Sequence, residues 1–167
     1  MKIRKETSDD INTIRHLVYA AFKGHPHHKP GAEPTEHTII DLLRESNELS
    51  LSLVAELNGK IIGHIAFSPV RINGQDSHWL GLGPVAVLPD AQGKGIGSAL
   101  INEAIKQLKE KGISGFVVLG EPEYYSRFGF SHYSELTLPG VPQEYFMGLS
   151  NSSEIPTGEV TYSSAFG

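Results

Sequence analysis

Residues 92–98 read Gln-Gly-Lys-Gly-Ile-Gly-Ser, with glycine at 93, 95 and 97. Glycine accepts left-handed backbone and lets the main chain come close to a ligand. An apolar run at 85–88 precedes this stretch and stops at Pro89, and a helical pattern follows it. The order is therefore strand, glycine-rich turn, helix. The first N–H groups of a helix have no partner within it, and the helix dipole adds positive potential there, so such a turn suits a phosphate or pyrophosphate. A nucleoside-triphosphate loop needs Gly-Lys followed by Ser or Thr, and here Gly95 follows Lys94. A dinucleotide fingerprint needs a third glycine or alanine. Leu100 stands there when the count starts at Gly95, and Ser98 when it starts at Gly93. A tight turn without a ligand is the bland alternative.

The elements that must hold this turn can be read outward from it. Leu100, Ile101, Ala104, Ile105 and Leu108 share one helical face, and Gly112 stands where a helix C-terminus needs glycine. Residues 116–119, Phe-Val-Val-Leu, form a β-rich run after the helix. Strand, helix and strand make a right-handed crossover, so this run is expected parallel to 85–88. Upstream, Thr7 and Asp10 have capping-box spacing ahead of a helix marked by Ile11, Ile14, Val18, Ala21 and Phe22. Pro34-Thr35-Glu36 can start a second helix with Ile39, Leu42 and Leu43 inward. The alternation of Leu51, Leu53, Ala55 and Leu57 predicts a half-buried strand. Asn58-Gly59 and Asn73-Gly74 are hairpin signals. Between them lies a strand from 60 to 67, interrupted at Ser68-Pro69 and resuming through Ile72. A third antiparallel strand spans 79–88, where Gly81 and Gly83 predict a bulge or a close backbone approach. A helical turn is expected at 122–128, and short apolar runs at 144–149 and 158–162 complete the sheet.

The chain has 167 residues, 39% hydrophobic and 20% charged, which suits one globular domain over 1–167. A net charge of −5 argues against nucleic acid or an anionic membrane as the partner. The absence of cysteine removes disulfides, thiolate metal sites and a cysteine nucleophile. The N-terminus lacks an apolar core of signal-peptide length, and no run approaches membrane-spanning length, so a cytoplasmic location is expected.

Gln92-Gly-Lys-Gly95-Ile-Gly97 resembles the Gln/Arg-x-x-Gly-x-Gly/Ala signature of the GNAT superfamily of N-acetyltransferases. Residues 85–87 resemble that family's fourth strand. Tyr124-Tyr125-Ser-Arg-Phe-Gly129-Phe130 looks like its Tyr-x-(Lys/Arg)-x-Gly-Phe element, with Tyr125 at the tyrosine. The wider run from Leu119 to Phe130 looks like the bacterial YhbS-like branch. The resemblance covers residues 2–130, and 131–167 is expected to complete the sheet. One departure is that many relatives carry an Asn where this chain has the short connection Gly120-Glu121-Pro122.

The resemblance implies an α/β (α+β) mixed sheet, antiparallel at its N-terminal strands, with a parallel, splayed fourth and fifth pair and flanking helices. It implies acetyl-CoA as cosubstrate. The pantetheine arm would pair with Val85, Ala86 and Val87, and the pyrophosphate would meet Gln92, Gly93, Lys94, Gly95, Ile96, Gly97 and Ser98. The reaction implied is acetyl transfer to a primary amine on a small molecule or peptide, with Tyr125 as the acid that protonates the CoA thiolate. Direct attack by an amine needs no metal and no covalent enzyme intermediate. The alternative is a non-catalytic CoA-binding sensor or interaction domain. A homodimer stays open as the assembly.

Other residues have plainer readings. His25, His27 and His28 are close enough to suggest a metal, but they lie between prolines without a nearby carboxylate, which favours a solvated loop near the acceptor entrance. Glu33 and Glu36 fit that mouth or a solvated helix start. His64 and His78 fall on strands, where a hydrogen-bonded histidine is commoner than a base. Glu121, at the end of the fifth strand, could orient a water. Tyr124 is expected to pack.

Overall fold

The computed structural model describes residues 1–24 and 31–167. The expectation for His25, His27 and His28 lies outside the described residues.

Strand β1 spans Lys2–Lys5, and helices α1 and α2 span Ile11–Phe22 and Glu36–Glu45. Strands β2 (Leu51–Leu57), β3 (Lys60–Ile72) and β4 (Gln75–Val87) form a meander, followed by α3 (Ile96–Glu110), β5 (Gly115–Leu119) and the short α4 (Pro122–Tyr125). The tail adds β6 (Leu136–Thr137), β7 (Phe146–Ser150) and β8 (Gly158–Thr161). The sheet runs β1-β2-β3-β4-β5-β7, with β8 pairing both β3 and β6. Neighbours are antiparallel except β4–β5 and β6–β8.

The hairpins have the left-handed turns their sequences call for. Asn58 and Gly59 lie at φ 52° and 79°, and Asn73 and Gly74 at 54° and 74°. The Thr7 N–H donates to Asp10 Oδ2 at 2.7 Å, ahead of α1. Helix α3 covers one face of the sheet, where Leu100, Ile101, Ala104 and Leu108 pack with Leu53, Ile65, Phe67 and Phe116. Helix α1 covers the other face through Ile14, Leu17 and Val18 against Val54 and Ala86. With both faces covered, residues 51–55 of β2 are all buried, so the expected half-buried strand is fully enclosed. In α2 Leu43 is buried as expected, but its inward partner is Ile40; Ile39 is half-buried and Leu42 is 46% exposed. Strand β3 runs unbroken through Ser68-Pro69, where its register with β4 slips between Pro69 and Arg71.

The crossover is parallel and splayed, as expected. Strands β4 and β5 pair at Trp79–Gly115, Leu80–Phe116 and Gly81–Val117, and not at 85–88. Beyond Gly81 the two strands part: β4 stays with β3, and β5 stays with β7 through Leu119 and Phe146. A local irregularity contributes to the parting. Between the Ile65–Val85 and Phe67–Leu82 pairs, β4 carries one residue more than β3, at Gly83-Pro84. Gly83 has φ +138°, and Pro84 has no N–H to give a ladder. Such a bulge bends the strand that carries it. The zipped end is held by close packing. A Cβ on Gly115 would fall 2.5 Å from the Trp79 ring, and one on Gly81 2.6 Å from the Tyr162 ring. Both glycines are needed because an aromatic ring lies directly on the backbone.

Candidate functional site

Where β4 parts from β5, its outer edge loses its partner. The Leu88 N–H bonds to the Ile62 carbonyl on β3. In an antiparallel pair such bonds alternate, so Ala86 is also turned to β3, opposite His64, while Val85 and Val87 turn their N–H and C=O groups to the gap. Of the three strand residues expected to meet a ligand, Val85 and Val87 present backbone groups and Ala86 does not. The Val87 carbonyl already accepts from the Gln92 side-chain amide at 3.0 Å. Gln92 therefore ties the turn back to the end of the strand.

The turn itself carries Gly93 and Gly95 at φ +77° and +80°. Gly95 is the residue before the first turn of α3, so the N–H groups that follow it face outward without helical partners. Above them lies a cavity of about 300 Å³ whose walls include Val87, Gly93, Gly95, Gly97, Tyr124 and Arg127. Gln92, Ile96 and Ser98 also border it; Lys94 is exposed and does not. Gly97 is needed for a different reason: a Cβ there would stand 3.1 Å from the Tyr124 hydroxyl. The Arg127 guanidinium lies over the Tyr124 ring at 4.5 Å, which fixes a cation at the rim of a cavity floored by N–H groups. Such a cavity can take a polyanion.

Tyr125 ends α4, and its N–H bonds to the Glu121 carbonyl. Its ring lies directly on Gly120, where any side chain would overlap it. The short Gly120-Glu121-Pro122 connection thus has a physical role, since bare backbone at 120 lets the ring settle at the exit of β5. Tyr124, Phe128 and Phe130 surround that ring edge-on or tilted. Gly129, at φ +98°, turns the chain so that Phe130 comes back to it. Burial, with Tyr124 nearby, pushes the Tyr125 phenol up to about 12, so it keeps its proton at neutral pH.

A model of the "Acetyltransferase (GNAT) family" matches residues 11–130. The chain belongs to the GNAT family. It is 37% identical over 131 residues to the "Uncharacterized N-acetyltransferase YhbS" of Escherichia coli K12, covering 78% of this chain and 73% of that one. Among solved structures, a GNAT family acetyltransferase from Brucella melitensis in complex with acetyl-CoA superposes with a TM-score of 0.87 at 43% identity, over 99% of this chain and 97% of that one. The Escherichia coli YhbS structure in complex with CoA gives 0.88 at 33% identity, over 99% and 91%. The GNAT fold, with its parallel, splayed β4–β5 pair, is therefore that of this chain.

The other residues considered from the sequence fall outside the GNAT turn and gap. His64 is wholly buried, with Nε2 2.7 Å from Ser52 Oγ. The Ser52 hydroxyl donates its only proton to the Glu6 carboxylate, so Nε2 must be the donor to Ser52, and Nδ1 is left a bare acceptor without a partner. Glu6 is held in turn by a forked pair with Arg44, at 2.8 and 2.9 Å. Burial lowers the His64 pKa to about 4. This ring is neutral, enclosed and structural. His78 and Glu121 are exposed. Glu33 binds the Tyr19 hydroxyl and Lys23 Nζ, joining the end of α1 to the segment before α2. No three His, Asp or Glu side chains come together as metal ligands among the described residues, and no described helix is long and apolar enough to cross a membrane. Sequence reasoning missed Tyr124 and Arg127 as walls of the cavity. Their separation of three residues on a helical turn, which stacks cation over ring, was the available signal.

Proposed function

We propose that this GNAT protein moves the acetyl group of acetyl-CoA to a primary amine on a small molecule or peptide. The observation that carries the reading is the unpaired β4 edge at Val85 and Val87, which runs from the glycine turn toward the point where β4 and β5 part, with the Tyr125 ring at the exit of β5. The pyrophosphate takes the N–H groups of residues 93–98, with Arg127 beside it, and the pantetheine amides pair with Val85 and Val87. A backbone N–H on that edge polarises the thioester carbonyl.

The amine attacks the carbonyl carbon, a C–N bond forms, and the C–S bond breaks. Tyr125 gives its proton to the departing sulfur and is refilled by a proton leaving the nitrogen. Taken alone, transfer from a phenol near 12 to a thiolate of ordinary basicity, with a pKa near 8.5, is uphill. It therefore accompanies C–S cleavage, while the ammonium that develops on the nitrogen stands ready to return a proton. The decisive experiment is release of free CoA thiol with a panel of small amines and peptides. Tight acetyl-CoA binding without acetylation of any amine would sink the reading and leave a CoA-binding module. The whole chain, 1–167, is proposed to act as one domain in this reaction.

A further inference from the structure

One phenol with a buried hydroxyl remains without a task. Tyr162 follows β8, and its ring rests on Gly81, the last β4 residue paired with β5. It packs with the tail-side cluster of Trp79, Val117 and Val160, whereas Tyr125 packs with the α3-side cluster. The two phenols therefore lie on opposite faces of the sheet, Tyr162 at the closing point of the gap and Tyr125 on Gly120, where β5 ends. The Tyr162 hydroxyl is buried and has no hydrogen-bond partner. Burial, and then Tyr125, raise its pKa, so it stays protonated and can donate. A buried hydroxyl without a partner costs about 1–3 kcal/mol, so it is normally avoided.

The direction of the gap says what could pair with it. The glycine turn stands at the C-terminal end of β4, and the gap closes at Gly81, six residues before Val87. A CoA thioester entering from the turn brings its acyl end, not its thiol or pantetheine, to the closed end. We infer that Tyr162 is a further catalytic residue whose hydroxyl donates a hydrogen bond to the acyl oxygen of the bound thioester, a bond that tightens as charge develops on that oxygen. The inference rests on the acetyl-CoA reading above. Tyr162 makes and breaks no covalent bond, and its proton stays with it. The phenol left unpaired in the empty protein is satisfied when the acyl group arrives.

The test is Tyr162→Phe, studied with acetyl-CoA, CoA and S-ethyl-CoA, a thioether that lacks the acyl oxygen. The variant should melt at or above the wild-type temperature, since only an unpaired hydroxyl is removed. Affinity for CoA and S-ethyl-CoA should be unchanged, while the preference for acetyl-CoA over S-ethyl-CoA falls about three- to tenfold. The kcat should fall roughly 10²-fold, as when one donor to a developing oxyanion is lost. A variant with full kcat and an unchanged acetyl-CoA preference overturns the inference. So does a variant that fails to fold, because the hydroxyl then has a structural partner in the empty protein. Wild-type protein that binds none of the three ligands overturns the acetyl-CoA reading itself, a result distinct from either.

Discussion

The polar groups at the two ends of this molecule are of different kinds. At the end of β4, the surface offered to a ligand is main chain: the N–H groups of the glycine turn and the unpaired edge at Val85 and Val87. On the opposite face, around α1 and α2, the polar chemistry is made of side chains. Glu6, Arg44, Ser52 and His64 form one chain of contacts, Arg4 pairs with Asp10 and Glu56, and Tyr19, Lys23 and Glu33 form a third group. A backbone site depends on where side chains are absent. A side-chain site depends on which ones are present, so it can vary while the fold stays the same.

Breaking the main-chain end should have the largest effect. Gly95→Asp places a Cβ where φ is +80° and a carboxylate where the pyrophosphate is proposed to sit. CoA affinity should fall by more than about 10²-fold, an estimate from losing charge-assisted hydrogen bonds, whereas Lys94→Ala beside it should leave affinity nearly unchanged. Calorimetry on the two folded variants decides. Equal losses would mean that side-chain charge, not bare backbone, makes the site. Next comes Tyr125→Phe, for which kcat should fall roughly 10²–10⁴-fold where protonation limits the rate. Tyr124→Phe should keep kcat and loosen CoA instead. A full-rate Tyr125→Phe variant under chemistry-limited conditions would reduce that ring to a wall of the gap.

Arg127→Ala should weaken CoA about three- to tenfold, and the loss should shrink as salt rises, because this cation stands at an open rim. An affinity unchanged at low salt would remove Arg127 from the site. The smallest expected effect on ligand binding comes from the side-chain face, where the readout is stability. His64 titrates near 4 when folded, against an ordinary value of 6.5, so the unfolded chain binds its proton first. Its contribution is complete above about pH 6.5 and is lost as pH falls toward 4. Asp10, held near 2 by Arg4, extends the loss from its ordinary 3.8 down to about 2. Urea midpoints across this range should fall less steeply for His64→Gln between pH 6.5 and 4, with CoA affinity unaltered. Parallel curves for both proteins would show that His64 does not carry the acid sensitivity.

What could be read from the sequence follows the same division. The glycine turn, the α3 face and both Asn-Gly hairpins are local features, set by backbone preferences within a few residues, and the structure has them as expected. The point where β4 leaves β5 is not local. It needs Trp79 on Gly115, Tyr162 on Gly81 and the extra residue at Gly83-Pro84, contacts between positions up to about eighty residues apart. The residue at which the strands part could not be read from 85–88, because an apolar run looks the same whether its edge is paired or open. The burial of β2 on both faces was hidden for a similar reason: alternation reports one covered face and is silent about a second layer. Tyr124 and Arg127 escaped because a helix of four residues has too few turns to show a face.

Trp79, whose ring lies on Gly115 where β4 and β5 are still zipped, is the only tryptophan in the chain and is 4% exposed. The protein's tryptophan fluorescence therefore arises from a single indole, two residues from the point where the strands diverge. Any ligand that wedges the strands further apart, or draws them together, changes the surroundings of that indole before it changes anything else that emits at those wavelengths. The chain carries its own optical gauge at the apex of the gap, and a titration in a cuvette can follow the opening without an added label.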